Sequence, residues 1–219
     1  MVKNNKYFKS AISGNEVQNI MQDKKDKKGL LFIVSGPSGV GKGTLREKLF
    51  KTFKDLTYSV SMTTRSPRKE EENGIDYHFV SKAIFKQMIK ENKFIEWAMV
   101  HEDYKGTPYE FLIEKLKTGN DTLLEIDVQG AAQVKDKMPW GIYIFIAPPS
   151  WNDLEYRLRN RKTEEKAELE KRLEDARTEI KYANNYDYLV INDNIETAFK
   201  KLEAIIIAER CKIHKKEKY

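Results

Sequence analysis

Residues 30–44 read Leu-Leu-Phe-Ile-Val-Ser-Gly-Pro-Ser-Gly-Val-Gly-Lys-Gly-Thr. The unbroken apolar run from Leu30 to Val34 suits a strand buried on both faces of a parallel sheet. The glycine-rich turn after it gives way to Leu45, Leu49 and Phe50 at helical spacing. Strand, Gly-x-x-x-x-Gly-Lys and helix, in that order, make a phosphate-binding loop in the context its physics requires. Glycines at 36, 39 and 41 let the chain turn through positive φ, so that the backbone N–H groups of Gly36, Pro37–Val40 excepting the proline, and Gly41 can approach a phosphate. The helix that follows adds unpaired N–H groups and the positive end of its dipole, and Lys42 adds a full charge at the outer phosphates. The motif predicts a bound nucleoside triphosphate and leaves the reaction open. Gly43 stands where a Ser or Thr hydroxyl usually reaches Mg²⁺, and Thr44 comes one residue later.

At 219 residues the chain has room for one α/β domain with insertions. A formal charge of +6 invites a nucleic-acid reading, but the charge sits at the ends. Residues 1–28 hold seven lysines and three acids, and residues 209–219 hold five basic residues and two acids, which leaves −1 for the stretch between. Such tails read as solvated charge, so no specific nucleic-acid partner is expected. Cys211 is the only cysteine, which rules out an internal disulfide and suits a reducing compartment. No apolar run approaches 18 residues, so no membrane partner is expected, and residues 1–28 resemble neither a secretory signal nor a transit peptide. A cytoplasmic protein follows, with residues 1–28 as a mobile extension and 210–219 as a basic tail.

Between the tails, apolar runs alternate with helical spacings. A helix is expected over about 42–53 and a strand over Tyr58–Met62. Another strand is expected at Tyr77–Val80, then a helix capped by Ser81 that carries Ile84, Phe85, Met88 and Ile89. Phe94–Val100 reads as extended and Tyr109–Lys117 as helical. Thr122–Asp127, Gly141–Ala147 and Tyr188–Asn192 read as buried strands, and Ser150 caps a helix to about Arg161. Leu169, Leu173, Ala176 and Ile180 keep one apolar stripe through a charged stretch, and Ile195 begins a strong final helix. The alternation predicts an α/β fold, a P-loop NTPase-type parallel sheet flanked by helices, with its site beyond the strand C-termini. That rule gathers Gly36–Lys42, Asp127, Pro148–Ser150 and Asn192–Asp193.

Two segments interrupt the alternation, roughly 60–110 and 159–174. The first holds Ser-Met-Thr-Thr-Arg-Ser-Pro-Arg from Ser61, Asn-Gly-Ile-Asp-Tyr from Asn73, Phe-Ile-Glu-Trp-Ala from Phe94, and Gly-Thr-Pro from Gly106. Two arginines three apart, with a nearby tyrosine hydroxyl, could grip one phosphate by charge-assisted bonds. With Glu-Ile-Asp-Val-Gln-Gly from Glu125, Ile-Phe-Ile-Ala-Pro-Pro-Ser from Ile144 and Val-Ile-Asn-Asp from Val190, these motifs resemble guanylate kinase, in order, from about Leu30 to about Glu209.

The resemblance implies phosphoryl transfer from ATP to GMP, and to dGMP, giving ADP and GDP by alignment and charge neutralisation without a covalent intermediate. It places Ser61, Arg65, Arg68, Tyr77, Glu96, Thr107 and Asp127 at GMP. Of these, Arg65, Arg68 and Tyr77 would take its phosphate, and Glu96 would read the base. Guanine offers N1–H and N2–H₂ side by side, which one carboxylate accepts together, whereas adenine presents an acceptor at N1. The hydroxyls of Ser61 and Thr107 suit the guanine O6. ATP would lie on Gly36, Pro37, Ser38, Gly39, Val40, Gly41, Lys42, Gly43 and Thr44, with Asn192 near the adenine. The 159–174 insertion would be a lid whose Arg161 and Arg172, with Arg157 as a further candidate, close on the triphosphate beside Lys42. Mg²⁺ would enter with ATP, with no firm direct protein ligand; Thr44 and Asp127 could reach it through water. ATP and GMP are thus the expected partners, on a monomer or homodimer.

The chain departs from the family in places. Gly-Lys-Gly-Thr, which also occurs among nucleoside monophosphate kinases, replaces the usual hydroxyl at 43. Lys105 stands where the family often has a second phosphate-binding tyrosine, and Asn-Arg-Lys-Thr replaces a common Gly-Arg-Gly-Thr in the lid. His78, His101 and His214 have no ligand spacing, and Trp97, Trp140 and Trp151 read as packing. The residues by themselves leave open a peptide-binding scaffold of similar fold and a P-loop kinase of sugar phosphates. Retention of Lys42, Arg65, Arg68 and Glu96 argues against the first, and Ser61 with Glu96 against the second.

Overall fold

The computed structural model describes residues 28–68, 71–100, 102–160 and 166–213. All but Lys28 of the expected N-terminal extension, Arg161 of the lid, His101, and residues 214–219 of the basic tail lie outside the described residues.

A five-stranded parallel sheet forms the core, in the order β2-β7-β1-β8-β9. Its strands are β1 (Leu31–Ser35), β2 (Thr57–Tyr58), β7 (Thr122–Glu125), β8 (Ile142–Ala147) and β9 (Tyr188–Ile191). The apolar run in β1 is unbroken because both faces are covered. Phe32 and Val34 pack into one cluster with Leu45, Leu49, Leu154, Leu202 and Ile206. Leu31 and Ile33 pack into another with Leu112, Leu116, Ala131 and Val134. Helices α1 (Lys42–Thr52), α5 (Trp151–Arg159), α6 (Lys166–Ile180) and α7 (Ile195–Cys211) supply the first cluster. Helices α3 (Tyr109–Lys117) and α4 (Val128–Lys137) supply the second. Burial on this scale contributes roughly 1.5–3 kcal/mol per large apolar side chain relative to exposure.

A four-stranded sheet, ordered β4-β3-β6-β5, makes the insertion, with β3 (Met62–Thr63), β4 (His78–Phe79), β5 (Phe94–Val100) and β6 (Asp103–Pro108). Helix α2 (Lys82–Lys90) covers it through Phe85, whose ring stacks on Phe94 and Tyr104 at 4.3 and 5.3 Å between centroids. Ser81 caps α2 and Ser150 caps α5, each accepting from the backbone N–H three residues on, as their sequence positions lead one to expect.

Three features differ from the sequence expectation. The strand anticipated over Tyr58–Met62 is two strands in two sheets. Thr57–Tyr58 pairs with β7 in the core, and Met62–Thr63 pairs with β4 and β6 in the insertion. Alternation suggests a strand with one buried face but not which strand pairs with it, and the chain changes sheets at Ser59–Ser61. No periodicity suggested β6 or α4, although Val128, Ala131, Val134 and Met138 bury at helical spacing behind Asp127. Helix α7 runs through Cys211, past the expected boundary at 209, and Arg210 bonds Asp121 at 2.7 Å and Asp55 at 3.1 Å. Among the described residues no helix is long and apolar enough to cross a membrane.

Candidate active site

All five core strands point the same way, so β1, β7, β8 and β9 end on one edge, where the phosphate loop begins. The loop is held from below. Gly36 lies so close to β8 that a Cβ would stand 2.2 Å from the Ile146 carbonyl oxygen. Gly41 takes the left-handed φ of 96° as the N-cap of α1, with no side-chain cap, so the first N–H groups of the helix are left for a ligand. Asn192, 4% exposed, donates its amide to the Val40 carbonyl at 2.7 Å, and Arg157 donates to the Asn192 carbonyl at 3.0 Å. The side chain of Asn192 is therefore spent on the loop's own backbone. Lys42 folds back onto the carbonyls of Gly36 and Pro37.

An anion already stands at this loop. Glu179, near the end of α6, accepts from the Ser38 N–H at 3.3 Å. Burial raises its carboxyl above the usual range, and the Lys42 charge opposes that shift. No periodicity or motif marks Glu179 in the sequence. Arg172, one face of the same helix, is half-buried. Gly43 faces open space and Thr44 is exposed at the start of α1.

The second half of the site lies in the insertion sheet. Phe94, Ile95 and Glu96 are buried in succession, which a regular strand cannot do with one face outward. The register shifts between Phe94 and Glu96, and this irregularity turns Glu96 inward. Glu96 is 4% exposed and pairs across the sheet with Thr107, whose hydroxyl donates to its carboxylate at 2.6 Å. The Ser61 hydroxyl lies 3.2 Å from that of Thr107. The other carboxylate oxygen rests against α4 where Gly130 has no side chain; a Cβ there would lie 2.7 Å from it. Gln133 fastens α4 to β5 by taking both backbone groups of Trp97, at 2.8 and 3.2 Å. Burial pushes the Glu96 carboxyl up to about 7; the Thr107 hydrogen bond opposes the rise and the Asp127 charge adds to it.

Between these halves lies a knot of positive charge. The Arg65 guanidinium sits over the Tyr77 ring at 5.1 Å and makes paired bonds to Glu71 at 2.6 and 2.5 Å. Glu71 also accepts from the Arg68 N–H at 2.8 Å, and the Arg65 bonds hold its carboxyl below the usual range. This planar, bidentate geometry is the one Arg offers a phosphate, and Glu71 fills it here. Lys105 lies 5.9 Å from the Tyr77 ring centroid. Burial lowers its ammonium pKa; Arg65, Arg68 and Lys42 push the same way and Asp127 opposes them. Lys105 thus lies within electrostatic reach of Arg65, Arg68 and Lys42. Asp127 caps α4, accepting from Gly130 N–H at 2.8 Å.

The structure thus brings Ser61, Glu96 and Thr107 into one buried cluster. Arg65, Arg68, Tyr77 and Lys105 form a second group, which faces Lys42 and Asp127. A model of the guanylate kinase family matches residues 28–209, a range that includes both halves. The chain belongs to the guanylate kinase family. It is 50% identical over 187 residues to a guanylate kinase of Caldanaerobacter subterraneus subsp. tengcongensis, covering 85% of this chain and 91% of that one. A guanylate kinase of Bacillus subtilis (strain 168) is 48% identical over 187 residues, covering 85% and 92%. The crystal structure of guanylate kinase from Anaplasma phagocytophilum superposes with a TM-score of 0.72 at 34% identity, over 85% of this chain and 89% of that one. Within this member of the guanylate kinase family, sequence reasoning left out Glu71, Glu179, Gly130 and Gln133. Each matters through a contact distant in the chain, except Glu71, whose place six residues after Arg65 was the one available signal.

Proposed function

We propose that the chain catalyses phosphoryl transfer from ATP to GMP, and to dGMP, giving ADP and GDP. The observation that carries the reading is the buried carboxylate of Glu96, hydrogen-bonded by Thr107, whose hydroxyl lies 3.2 Å from that of Ser61. A carboxylate so placed offers two acceptor oxygens to adjacent N–H donors of guanine. A buried site of that kind penalises a base with the wrong pattern by several kcal/mol, on the order of 10⁴-fold.

Arg65, Arg68, Tyr77 and Lys105 would hold the GMP phosphate, with Glu71 yielding Arg65 when it arrives. The loop from Gly36 to Thr44 would hold the ATP phosphates by backbone N–H groups, and Asn192 keeps that loop in shape. Lys42 and the lid arginines, Arg172 and Arg161, would neutralise the charge that develops as the phosphoryl group passes from donor to acceptor. The reaction asks for no covalent nucleophile. Among the described residues no group of three or more His, Cys, Asp or Glu could hold a metal ion by itself. Mg²⁺ would enter on the ATP phosphates, with Thr44 and Asp127 as candidates to reach it through water. When bound, Mg²⁺ would screen the phosphate oxygens and lower the cost of bringing two anions together. The single cysteine suits a reducing compartment, and the cytoplasm is the one we assign, with a monomer or a homodimer as the working unit.

An ADP-release assay with GMP, dGMP, AMP, UMP and CMP as acceptors tests the assignment. Turnover confined to GMP and dGMP is expected. Turnover with a pyrimidine or adenine nucleotide would overturn the role of Glu96, and no turnover with any acceptor would point to a scaffold.

A further inference from the structure

One turn after Lys42, on the same side of α1, stands Arg46. Its guanidinium donates to the Tyr58 hydroxyl at 3.0 Å, reaches an Asp76 oxygen at 3.3 Å and lies 3.7 Å from Glu125. It also sits over the Tyr58 ring, 4.8 Å from its centroid, and the edge of Phe50 backs that ring at 5.8 Å. These partners come from three places. Tyr58 ends β2, just before the chain leaves the core sheet; Glu125 ends β7, two residues before Asp127; Asp76 belongs to the turn of the insertion. The buried Glu125 oxygen nearest Arg46 has no hydrogen-bond partner, so the arginine is the counter-charge beside it.

Asp76 organises its own turn. Its second oxygen accepts from the Glu72 N–H at 3.1 Å, and the turn closes where the Gly74 N–H donates to the Tyr77 carbonyl at 2.8 Å. Tyr77 follows directly and carries Arg65 over its ring. Contacts therefore run from the helix that starts at Lys42, through Arg46 and Asp76, to Tyr77 and Arg65. The β5 edge of the insertion sheet is fastened to the core separately, by Gln133 of α4 on Trp97 and by Ile95 in the second core cluster, so Arg46 is a side-chain strut at the opposite, β4 edge, beside Asp76 and Tyr77.

We propose that Arg46 is a positioning residue, which sets the acceptor-phosphate residues Tyr77 and Arg65 at a fixed separation from the donor loop. The inference rests on the guanylate kinase reading. In-line phosphoryl transfer depends on alignment, and a misplacement of about 1 Å costs on the order of 10²-fold. Arg46 supplies that alignment through a planar fork that meets Tyr58 and Asp76 together, which a lysine cannot reproduce.

The test is a set of variants assayed with both substrates varied. Arg46→Met keeps the length and removes the fork; kcat with GMP should fall about tenfold or more and the GMP KM should rise about fivefold, with the ATP KM within about twofold. Asp76→Asn breaks one arm at a partly exposed site and should move GMP kinetics the same way, less far. The double variant should be no worse than Arg46→Met alone, since both act through one contact. Arg46→Lys should recover only part of the loss. Unchanged GMP kinetics in both single variants, or an equal rise in ATP and GMP KM, would overturn the assignment. Wild-type chain run in parallel must turn over GMP; its failure to do so would overturn the functional reading and this inference together, whereas active wild type with unaffected variants sinks the inference alone.

Discussion

The donor half and the acceptor half of this site are built on opposite plans. The donor loop follows β1, whose side chains are apolar and buried on both faces, and in the proposed function it would meet its ligand with backbone N–H groups and one lysine. The acceptor half is drawn from the insertion sheet and the turns beside it, and would meet its ligand with side chains: Glu96, Ser61, Thr107, Arg65, Tyr77 and Lys105. Backbone donors are nearly indifferent to the side chains around them, so the first plan gives a robust grip on any triphosphate. Side chains gathered from separate strands would give selectivity at the cost of many distant contacts that must all be right. Both halves also hold an internal carboxylate where the proposed function would put a phosphate, Glu179 on the loop and Glu71 on Arg65. Such a carboxylate offsets the repulsion among neighbouring cations, and in the proposed function the substrate would displace it.

The contrast predicts where substitutions will bite. The largest effect belongs to Glu96→Gln, which turns one acceptor oxygen into a donor facing guanine. The kcat/KM for GMP should fall at least about 100-fold while ATP affinity stays within about twofold; equal loss of both would merge the two halves that the comparison separates. The same residue sets a pH dependence. Its carboxyl is raised from 4.5 to about 7 in the folded chain, so the folded state holds a proton that the unfolded state releases. Stability from this group is full below about pH 4.5 and is lost as pH rises through about 7. Glu96→Gln should therefore melt higher than wild type at pH 8 and alike at pH 4.5, which thermal melts at the two pH values would check. GMP binding runs the other way: its KM should rise as pH falls below about 7, when the carboxyl takes up its proton.

Next comes Lys105→Met, which removes a buried cation from the acceptor phosphate. A rise in GMP KM of about tenfold, with ATP KM steady, is expected from steady-state kinetics. A parallel rise in both would mean that Lys105 serves the donor side as well. Smaller again is Glu179→Gln. Losing the resident anion should let a non-hydrolysable ATP analogue bind a few-fold tighter by calorimetry, about 1 kcal/mol. Weaker binding would instead make Glu179 a support for the loop. The smallest belongs to Gly43→Ser, where open space receives the new side chain. A gain of about 0.5 kcal/mol in helix propensity should raise the melting temperature by about 1–2 °C, with activity retained.

The donor half was legible in the chain because its parts are contiguous: β1, the loop and α1 follow one another from Leu31 to Thr52. The acceptor half was legible only through resemblance. Its polar trio spans Ser61, Glu96 and Thr107, and the register shift that turns Glu96 inward leaves no pattern in the sequence. The strand read across Tyr58–Met62 failed for a related reason, since each end is paired by a different distant strand. Asp127 combined both outcomes: the sequence marked it as an acid at a strand end, and the fold made it the cap of α4.

The order of residues alone determined the parallel core, its glycine-rich loop and the helix after it, because local backbone geometry and two-sided burial are written in neighbouring residues. Tertiary structure decided what surrounds the loop and what reads the acceptor. Asn192 beneath Val40, Glu179 on Ser38, Gly130 making room for Glu96, and Arg46 bracing Asp76 each join residues at least 30 positions apart. Such contacts form only when packing has brought their elements together, and no local pattern encodes them.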